Sequence, residues 1–170
     1  FRSIMDHHGV VKATALEKHV PTGVSARLNE RYVSGDPDAV LDVYSPSATD
    51  TALPTIVWVH GGGFISGNKE HVANYLKILA SAGYTTVGVN YSLAPGATYP
   101  TPVRQVNAAL AHLRKNAKQY RIDDSRLFLA GDSAGAQIAA QTAIVISDPS
   151  YAKSMGIVPA VDRAQLRGVI

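Results

Sequence analysis

A glycine-flanked serine joins an apolar run to a helical pattern, and it constrains the fold of this chain more than any other feature. Residues 127–130 are apolar, Gly131-Asp132-Ser133-Ala134-Gly135 follows, and small or apolar residues then recur with helical spacing. Between a strand and a helix, Gly-x-Ser-x-Gly predicts a sharp turn that exposes the serine hydroxyl at the carboxyl end of a sheet. Side chains at 131 and 135 would collide with neighbouring backbone in so tight a turn. We therefore predict Ser133 as a nucleophile, with the Ala134 N–H at the helix N-terminus available to a developing negative charge.

A second apolar run, residues 55–59, leads into His60-Gly61-Gly62-Gly63-Phe64. Glycine N–H groups can approach a substrate because no Cβ intervenes, so we predict that Gly61 and Gly62 complete an oxyanion hole with Ala134. The alternative is a plain flexible turn. A phosphate-binding loop does not fit, since Asn68 and Lys69 stand where such a loop needs lysine and Ser/Thr.

Three motifs in order, the glycine loop, Asn90-Tyr91-Ser92-Leu93-Ala94-Pro95 and the serine turn, resemble the hormone-sensitive-lipase-like branch of the α/β-hydrolases. The resemblance implies a mostly parallel sheet flanked by helices and a carboxylic-ester hydrolase acting through an acyl-enzyme on Ser133, with no cofactor and no metal. It also implies that His60 holds the shape of the glycine loop. The chain departs from the family at Ser92 and Gly96, where Arg and Glu are usual, and this departure predicts the loss of a scaffold ion pair.

The remaining pattern predicts two units, an N-terminal helical cap over residues 1–24 and the first part of the hydrolase core over 25–170. A surface helix pair unrelated to substrate is the alternative for the first unit. In the second, alternation predicts a hairpin of strands 25–33 and 39–44, and continuous apolar runs predict parallel strands at 56–59 and 86–89. Helical periodicity covers three segments: the stretch between those two strands, then residues 102–117, and finally the stretch from Ser133 to Asp148. A polar loop and a final strand from residue 166 complete the prediction.

Composition excludes several classes of protein. The net charge is only +3 and is scattered, which argues against a nucleic-acid-binding face. The chain has no cysteine, so it has no disulfide or thiolate nucleophile, but this does not settle the compartment. No apolar run approaches the ~20 residues of a membrane-spanning helix. His7 and His8 have no carboxylate or cysteine partner at ligand spacing, so we expect them to be exposed.

The acid and base that would activate the serine are not evident. In α/β-hydrolases they follow the nucleophile as Asp or Glu and then His, but only Asp148 and Asp162 follow Ser133 and no histidine does. Asp148 would lie at the far end of the helix and Asp162 at the wrong edge of the sheet. His60 is the upstream alternative, whereas His19, His71 and His112 fit surface or helix-face positions.

We therefore expect a complementing C-terminal half, either a second chain or a further segment of the same protein, to supply Asp and His. Two other functions remain open. The chain also resembles the plant gibberellin receptors, which keep the serine turn, lack the histidine and only bind a ligand. An amide or carbamate hydrolase would differ from the esterase only in its substrate.

Overall fold

A computed structural model describes residues 2–170 as a six-stranded sheet with helices on both faces. The strands are β1 Val24–Arg31, β2 Val40–Pro46, β3 Leu53–Val59, β4 Thr85–Val89, β5 Ile122–Gly131 and β6 Leu166–Val169. The α-helices are α1 Arg2–Glu17, α2 Ala73–Ser81, α3 Thr101–Lys115, α4 Ala117–Tyr120, α5 Ala134–Ser147 and α6 Pro149–Met155, and a 3₁₀ helix spans Lys69–Val72.

The strand order is β1-β2-β4-β3-β5-β6. The first two pairs, β1 with β2 and β2 with β4, are antiparallel, and the remaining three pairs are parallel. The predicted hairpin, the two parallel strands and the final strand are thereby confirmed. Because β3, β4, β5 and β6 run in the same direction, the loops that follow them meet at one edge of the sheet.

The two faces of the sheet carry different cores, as the alternation of side chains along a strand requires. On one face, Leu41 and Val43 of β2 and Val57 of β3 join the large core that α3 and α5 cover. On the other face, Tyr44 and Trp58 belong to a smaller cluster under α2. The continuous apolar runs thus reflect parallel strands that are covered on both sides.

Two segments differ from the sequence prediction. Residues 2–17 form a single 16-residue helix with no buried residue, not a pair of helices. The stretch after Asp148, predicted as loop, contains α6: Asp148 Oδ1 accepts hydrogen bonds from the N–H groups of Ser150 and Tyr151, at 2.8 and 3.1 Å. Asp148 therefore ends α5 and also caps α6, and Pro149 occupies the first turn, where a missing N–H is harmless.

The departure at Ser92 is accommodated by hydrogen bonds from uncharged donors. Ser92 Oγ donates to Asp38 Oδ2 at 2.8 Å, and Gln105 Nε2 donates to Ser92 Oγ at 2.8 Å. Gln105 also donates to Asp36, so one buried amide ties α3 to the turn between β1 and β2. No helix within residues 2–170 is both long enough and apolar enough to cross a membrane.

Candidate active site

The predicted nucleophile and the glycine loop lie side by side because β3 and β5 are adjacent parallel strands. Val59, the last residue of β3, is in register with Gly131, the last residue of β5. The segment starting at His60 and the segment starting at Asp132 therefore leave the sheet next to each other. This register brings together residues that are about 70 positions apart in the chain.

Ser133 lies in a strained turn. It is exposed, and its backbone has φ +52° and ψ −119°, in a region that side-chain-bearing residues rarely adopt. A Cβ at Gly131 would lie 2.6 Å from the carbonyl carbon of Gly135, and one at Gly135 would collide with the Val59 carbonyl oxygen. Both glycines are thus required by close backbone approach, which confirms the steric prediction for 131 and 135. The packing of Gly135 against β3 also fixes where α5 begins.

The donors of the predicted oxyanion hole differ in availability. The Gly61 N–H donates to Asp132 Oδ1 at 3.0 Å, so it is already occupied. Within residues 2–170, the N–H groups of Gly62, Gly63 and Ala134 donate no hydrogen bond. Gly63 was not in the predicted set, but its N–H is unoccupied, whereas the N–H of Gly61 is not. The arrangement supports an oxyanion hole built from Gly62, Gly63 and Ala134, with Gly61 anchoring the loop.

Asp132 was not predicted as a functional residue, yet its carboxylate holds two elements at the site. Oδ1 accepts from Trp58 Nε1 at 3.1 Å in addition to the Gly61 N–H. A Cβ at Gly61 would lie 2.5 Å from Oδ2, so both carboxylate oxygens face the start of the glycine loop. The residue before the nucleophile therefore fixes the glycine loop relative to the serine turn.

His60 is enclosed within the loop that it begins. Its side chain is buried, Nδ1 donates to the Gly61 carbonyl oxygen at 2.7 Å, and the ring stacks on Tyr91 with centroids 4.4 Å apart. Tyr91 in turn donates to the His60 carbonyl oxygen at 2.8 Å. Burial lowers the pKa of His60, while the hydrogen bond to Gly61 acts in the opposite direction. These contacts fit the loop-holding role that the resemblance implies.

Helix α1 forms one wall of the cleft at Ser133. The cleft has a volume of about 280 Å³, and α1 contributes Met5, His8, Gly9 and Lys12 to its lining. His71 also lines the cleft, which the expected surface or helix-face position did not include. A Cβ at Gly9 would collide with the His71 ring, which shows how closely α1 packs on the 3₁₀ helix.

A second, apolar cavity of about 410 Å³ begins at Phe64, the residue after the glycines. Tyr99, Val103 and Ile138 supply much of its apolar lining, and Gln137 and Gln141 of α5 line it as well. Because Gln137 is one helical turn after Ser133, the cavity extends along α5 from the serine turn.

No histidine within residues 2–170 has a hydrogen bond or ion pair to a carboxylate. Asp148 lies at the opposite end of α5 from Ser133, ~21 Å away at about 1.5 Å per residue. Asp162 precedes β6 and thus lies towards the amino end of the strands. The described residues also contain no group of three His, Asp or Glu side chains placed to hold a metal ion.

Comparison with known proteins identifies the family. The BD-FAE family profile matches residues 41–162, which include the glycine loop and the serine turn. The chain belongs to the BD-FAE family. The acetyl esterase of Salmonella paratyphi B is 36% identical over 112 residues, and that match covers 65% of this chain and 34% of the relative. The chain thus spans about a third of the length of the curated relatives that it matches.

Solved structures show that this BD-FAE member has the α/β-hydrolase fold, and the structural neighbours named here are esterases. Esterase B from Lactobacillus rhamnosis, inhibited by a tributyrin phosphonate, superposes with a TM-score of 0.84 at 27% identity, over 96% of this chain and 53% of the esterase. A bacterial heroin esterase superposes with a TM-score of 0.72 at 31% identity, over 90% of this chain and 47% of that esterase. The α/β-hydrolase fold and the hormone-sensitive-lipase-like resemblance are confirmed, and the partial coverage fits an N-terminal portion.

The glycine loop offers a test of the oxyanion hole. Gly62 has φ +125°, and a Cβ there would collide with the Ser66 carbonyl oxygen, so Gly62→Val must displace the loop. We expect turnover in an active preparation to fall by about 10²–10³-fold, the usual cost of losing one oxyanion donor. Steady-state kinetics measures the loss, and circular dichroism checks that the variant is folded.

Gly83→Val is the matched control for this test. Gly83 also has a positive φ, +98°, but a Cβ there would meet nothing within 4 Å. It therefore adds comparable backbone strain without displacing the glycine loop. If both variants turn over at the wild-type rate, the loop is only a connector.

Proposed function

We propose that this protein is a serine carboxylic-ester hydrolase in which Ser133 forms an acyl-enzyme. The observation that carries the proposal is the exposed Ser133 hydroxyl, held at a positive φ beside the unoccupied Gly62, Gly63 and Ala134 N–H groups. A strained, exposed serine next to convergent backbone donors is the arrangement that acyl transfer needs.

In the proposed reaction, a base takes the Ser133 proton as Oγ attacks the ester carbonyl carbon. The carbonyl oxygen becomes an oxyanion, and the three N–H groups stabilise it. The intermediate then expels the alcohol, which receives the proton, and leaves the acyl group on Ser133. A water molecule, deprotonated by the same base, releases the acid and restores the serine.

The acid and base belong, in this proposal, to residues outside 1–170, as the triad order Ser, Asp, His of α/β-hydrolases requires. His60 is unsuited to the role, because Nδ1 is bonded within the loop and the ring is covered by Tyr91. His71 lines the cleft, but no carboxylate within residues 2–170 bonds it to hold the required orientation. A further segment of the same protein, or a complementing second chain, would supply both groups.

The proposed substrate is a small ester. The relatives named above include an acetyl esterase and an esterase inhibited by a tributyrin phosphonate, which favours short acyl groups. The cleft at Ser133 is small, and the apolar cavity that begins at Phe64 offers a place for an alkyl part of the substrate.

Residues 1–24 act, in this proposal, as a cap over the site. Helix α1 is tied to the loop after the glycines and to α2: Asp6 Oδ1 accepts from the Gly67 N–H at 3.0 Å, and Asn74 Nδ2 of α2 donates to the Ala13 carbonyl at 2.8 Å. These contacts favour a cap over the alternative of a helix unrelated to substrate.

Labelling with a fluorophosphonate tests the proposal. We expect a single covalent adduct on Ser133 of the full-length protein, mapped by peptide mass spectrometry, because only an activated serine reacts quickly. The Ser133→Ala variant should carry no adduct. Residues 1–170 expressed alone should react far more slowly, because the proposed base is absent.

Other outcomes would contradict the proposal or refine it. An adduct on a different serine, or no adduct in a preparation that hydrolyses esters, would show that Ser133 is not the nucleophile. No adduct and no hydrolysis would favour a ligand-binding protein like the gibberellin receptors. Equally fast labelling of residues 1–170 alone would place the base within this chain, and His60 and His71 would be the first candidates.

A further inference from the structure

Helix α1 presents one face to the cleft at Ser133. Met5, His8 and Lys12 are three and four positions apart, so they lie on the same side of the helix, and all three line the cleft. The helix is held in place by the Asp6 and Ala13 hydrogen bonds and by the packing of Gly9 on His71. These contacts therefore position this face of the helix along the cleft.

Lys12 carries the positive charge on this face of α1. Within residues 2–170 its ammonium group makes no ion pair and no hydrogen bond, and its side chain is exposed. The carboxylate that also lines the cleft, Asp132, faces Trp58 and Gly61, and its Oδ1 accepts both of their N–H groups. His8 and His71, two further polar residues of the lining, add no negative charge.

From this arrangement we infer that the cleft selects short esters that carry a carboxylate away from the scissile bond, and that Lys12 binds that carboxylate. The inference rests on the proposed ester hydrolysis and names its substrate class. An ammonium group in the lining attracts a carboxylate by charge and by hydrogen bonding, and a cleft of about 280 Å³ holds only a short ester. A neutral ester of the same shape lacks this interaction.

The carboxylate can belong to the acyl part or to the alcohol part, and two matched substrate pairs distinguish these sources. Monoethyl succinate and ethyl butyrate differ in the acyl part by a carboxylate in place of a methyl group. The esters 3-acetoxybenzoate and 3-tolyl acetate differ in the same way in the alcohol part. For each pair, the measured quantity is kcat/KM of the anionic ester divided by kcat/KM of the neutral ester.

We expect Lys12→Met in the full-length protein to lower this ratio about fivefold for at least one pair, the upper range for a partly exposed ion pair. Lys12→Glu should lower it further, because the new charge repels the substrate. Raising the salt concentration should reduce the wild-type ratio, since exposed charges are screened. Lys18→Met is the matched control: Lys18 is an exposed lysine just beyond α1, outside the cleft, and its loss should not change the ratio.

The outcomes separate this inference from the proposed function. If the neutral esters are hydrolysed but the ratios do not change in either Lys12 variant, the inference is wrong and the esterase proposal stands. If no ester is hydrolysed, the esterase proposal fails, and equilibrium binding decides the inference. In that case benzoate must still bind the wild-type protein. Its dissociation constant should rise about fivefold in Lys12→Met and stay unchanged in Lys18→Met. If the wild-type protein and both variants bind benzoate equally, the inference is wrong.

Discussion

Replacing Ser133 by alanine should lower the turnover of a short ester by about 10⁶-fold in the full-length protein, the scale seen when a triad nucleophile is removed. The serine oxygen forms the covalent intermediate, and an alanine methyl group cannot. The free N–H groups of Gly62, Gly63 and Ala134 remain, so a residual of roughly 10³–10⁴ over the uncatalysed rate should persist. Steady-state hydrolysis of 3-tolyl acetate measures the loss.

Ser147→Ala is the matched control, because Ser147 is an exposed serine at the other end of α5 and bonds only to carbonyl oxygens of its own helix. It should turn over at the wild-type rate. Alanine at 133 keeps the backbone demand for a positive φ, so the two variants should also unfold at similar denaturant concentrations. If Ser133→Ala retained more than about a hundredth of the activity, a different nucleophile would have to be sought.

The serine turn could be predicted from sequence because its residues are contiguous. Gly131 and Gly135 flank Ser133 within five residues, although only the collision at Gly131 lies within the turn and the one at Gly135 is with Val59 of β3. The parallel strands were predictable for a similar reason, since burial on both faces leaves a continuous apolar run. In each case a few neighbouring residues carry the whole signal.

The oxyanion donors could be predicted only in part, because their availability depends on a contact between distant segments. The prediction chose Gly61 and Gly62 with Ala134 and left out Gly63. The register of β3 against β5 brings Asp132 to the Gly61 N–H, 71 residues away in the chain, and occupies that donor. Without the register, nothing in the sequence distinguishes Gly61 from Gly63.

Helix α6, which the sequence prediction lacks, has a local signal. Asp148-Pro149 marks the end of α5, and Asp followed by Pro is also the usual start of a helix. Gly156, at φ +59°, then ends α6 as a glycine typically does. The role of His71 had no such signal, since its position in the cleft depends on α1 packing over it.

The burial of Lys69 differs from the scattered surface charge that the composition indicates. Its side chain is 2% exposed, and Nζ lies 3.0 Å from Asp42 Oδ1 and 2.9 Å from Asn29 Oδ1. Asp42, itself 3% exposed, also accepts from the Tyr44 hydroxyl at 3.2 Å. The pair joins β2 to the 3₁₀ helix that follows the glycine loop, 27 residues apart, and no local pattern predicts it.

Lys69→Met should therefore lower the free energy of unfolding by about 3–5 kcal/mol, because it leaves the Asp42 carboxylate buried without its cation. The cost arises from the charge that remains rather than from lost packing, since methionine fills most of the same volume. Urea unfolding of the full-length protein measures the change. Lys118→Met, which removes an exposed lysine of α4, should change stability by no more than about 0.5 kcal/mol.

The double variant Lys69→Met with Asp42→Leu distinguishes a buried charge from lost packing. Removing both charges leaves no uncompensated ion, so the double variant should be more stable than Lys69→Met alone, by more than about 1 kcal/mol. The Asn29 side chain and the Tyr44 hydroxyl lose a partner in the double variant, and this should prevent full recovery to wild type. If the double variant is instead less stable than Lys69→Met by the full cost of the Asp42 change, the two side chains act independently. The pair would then contribute packing to this junction but no charge coupling.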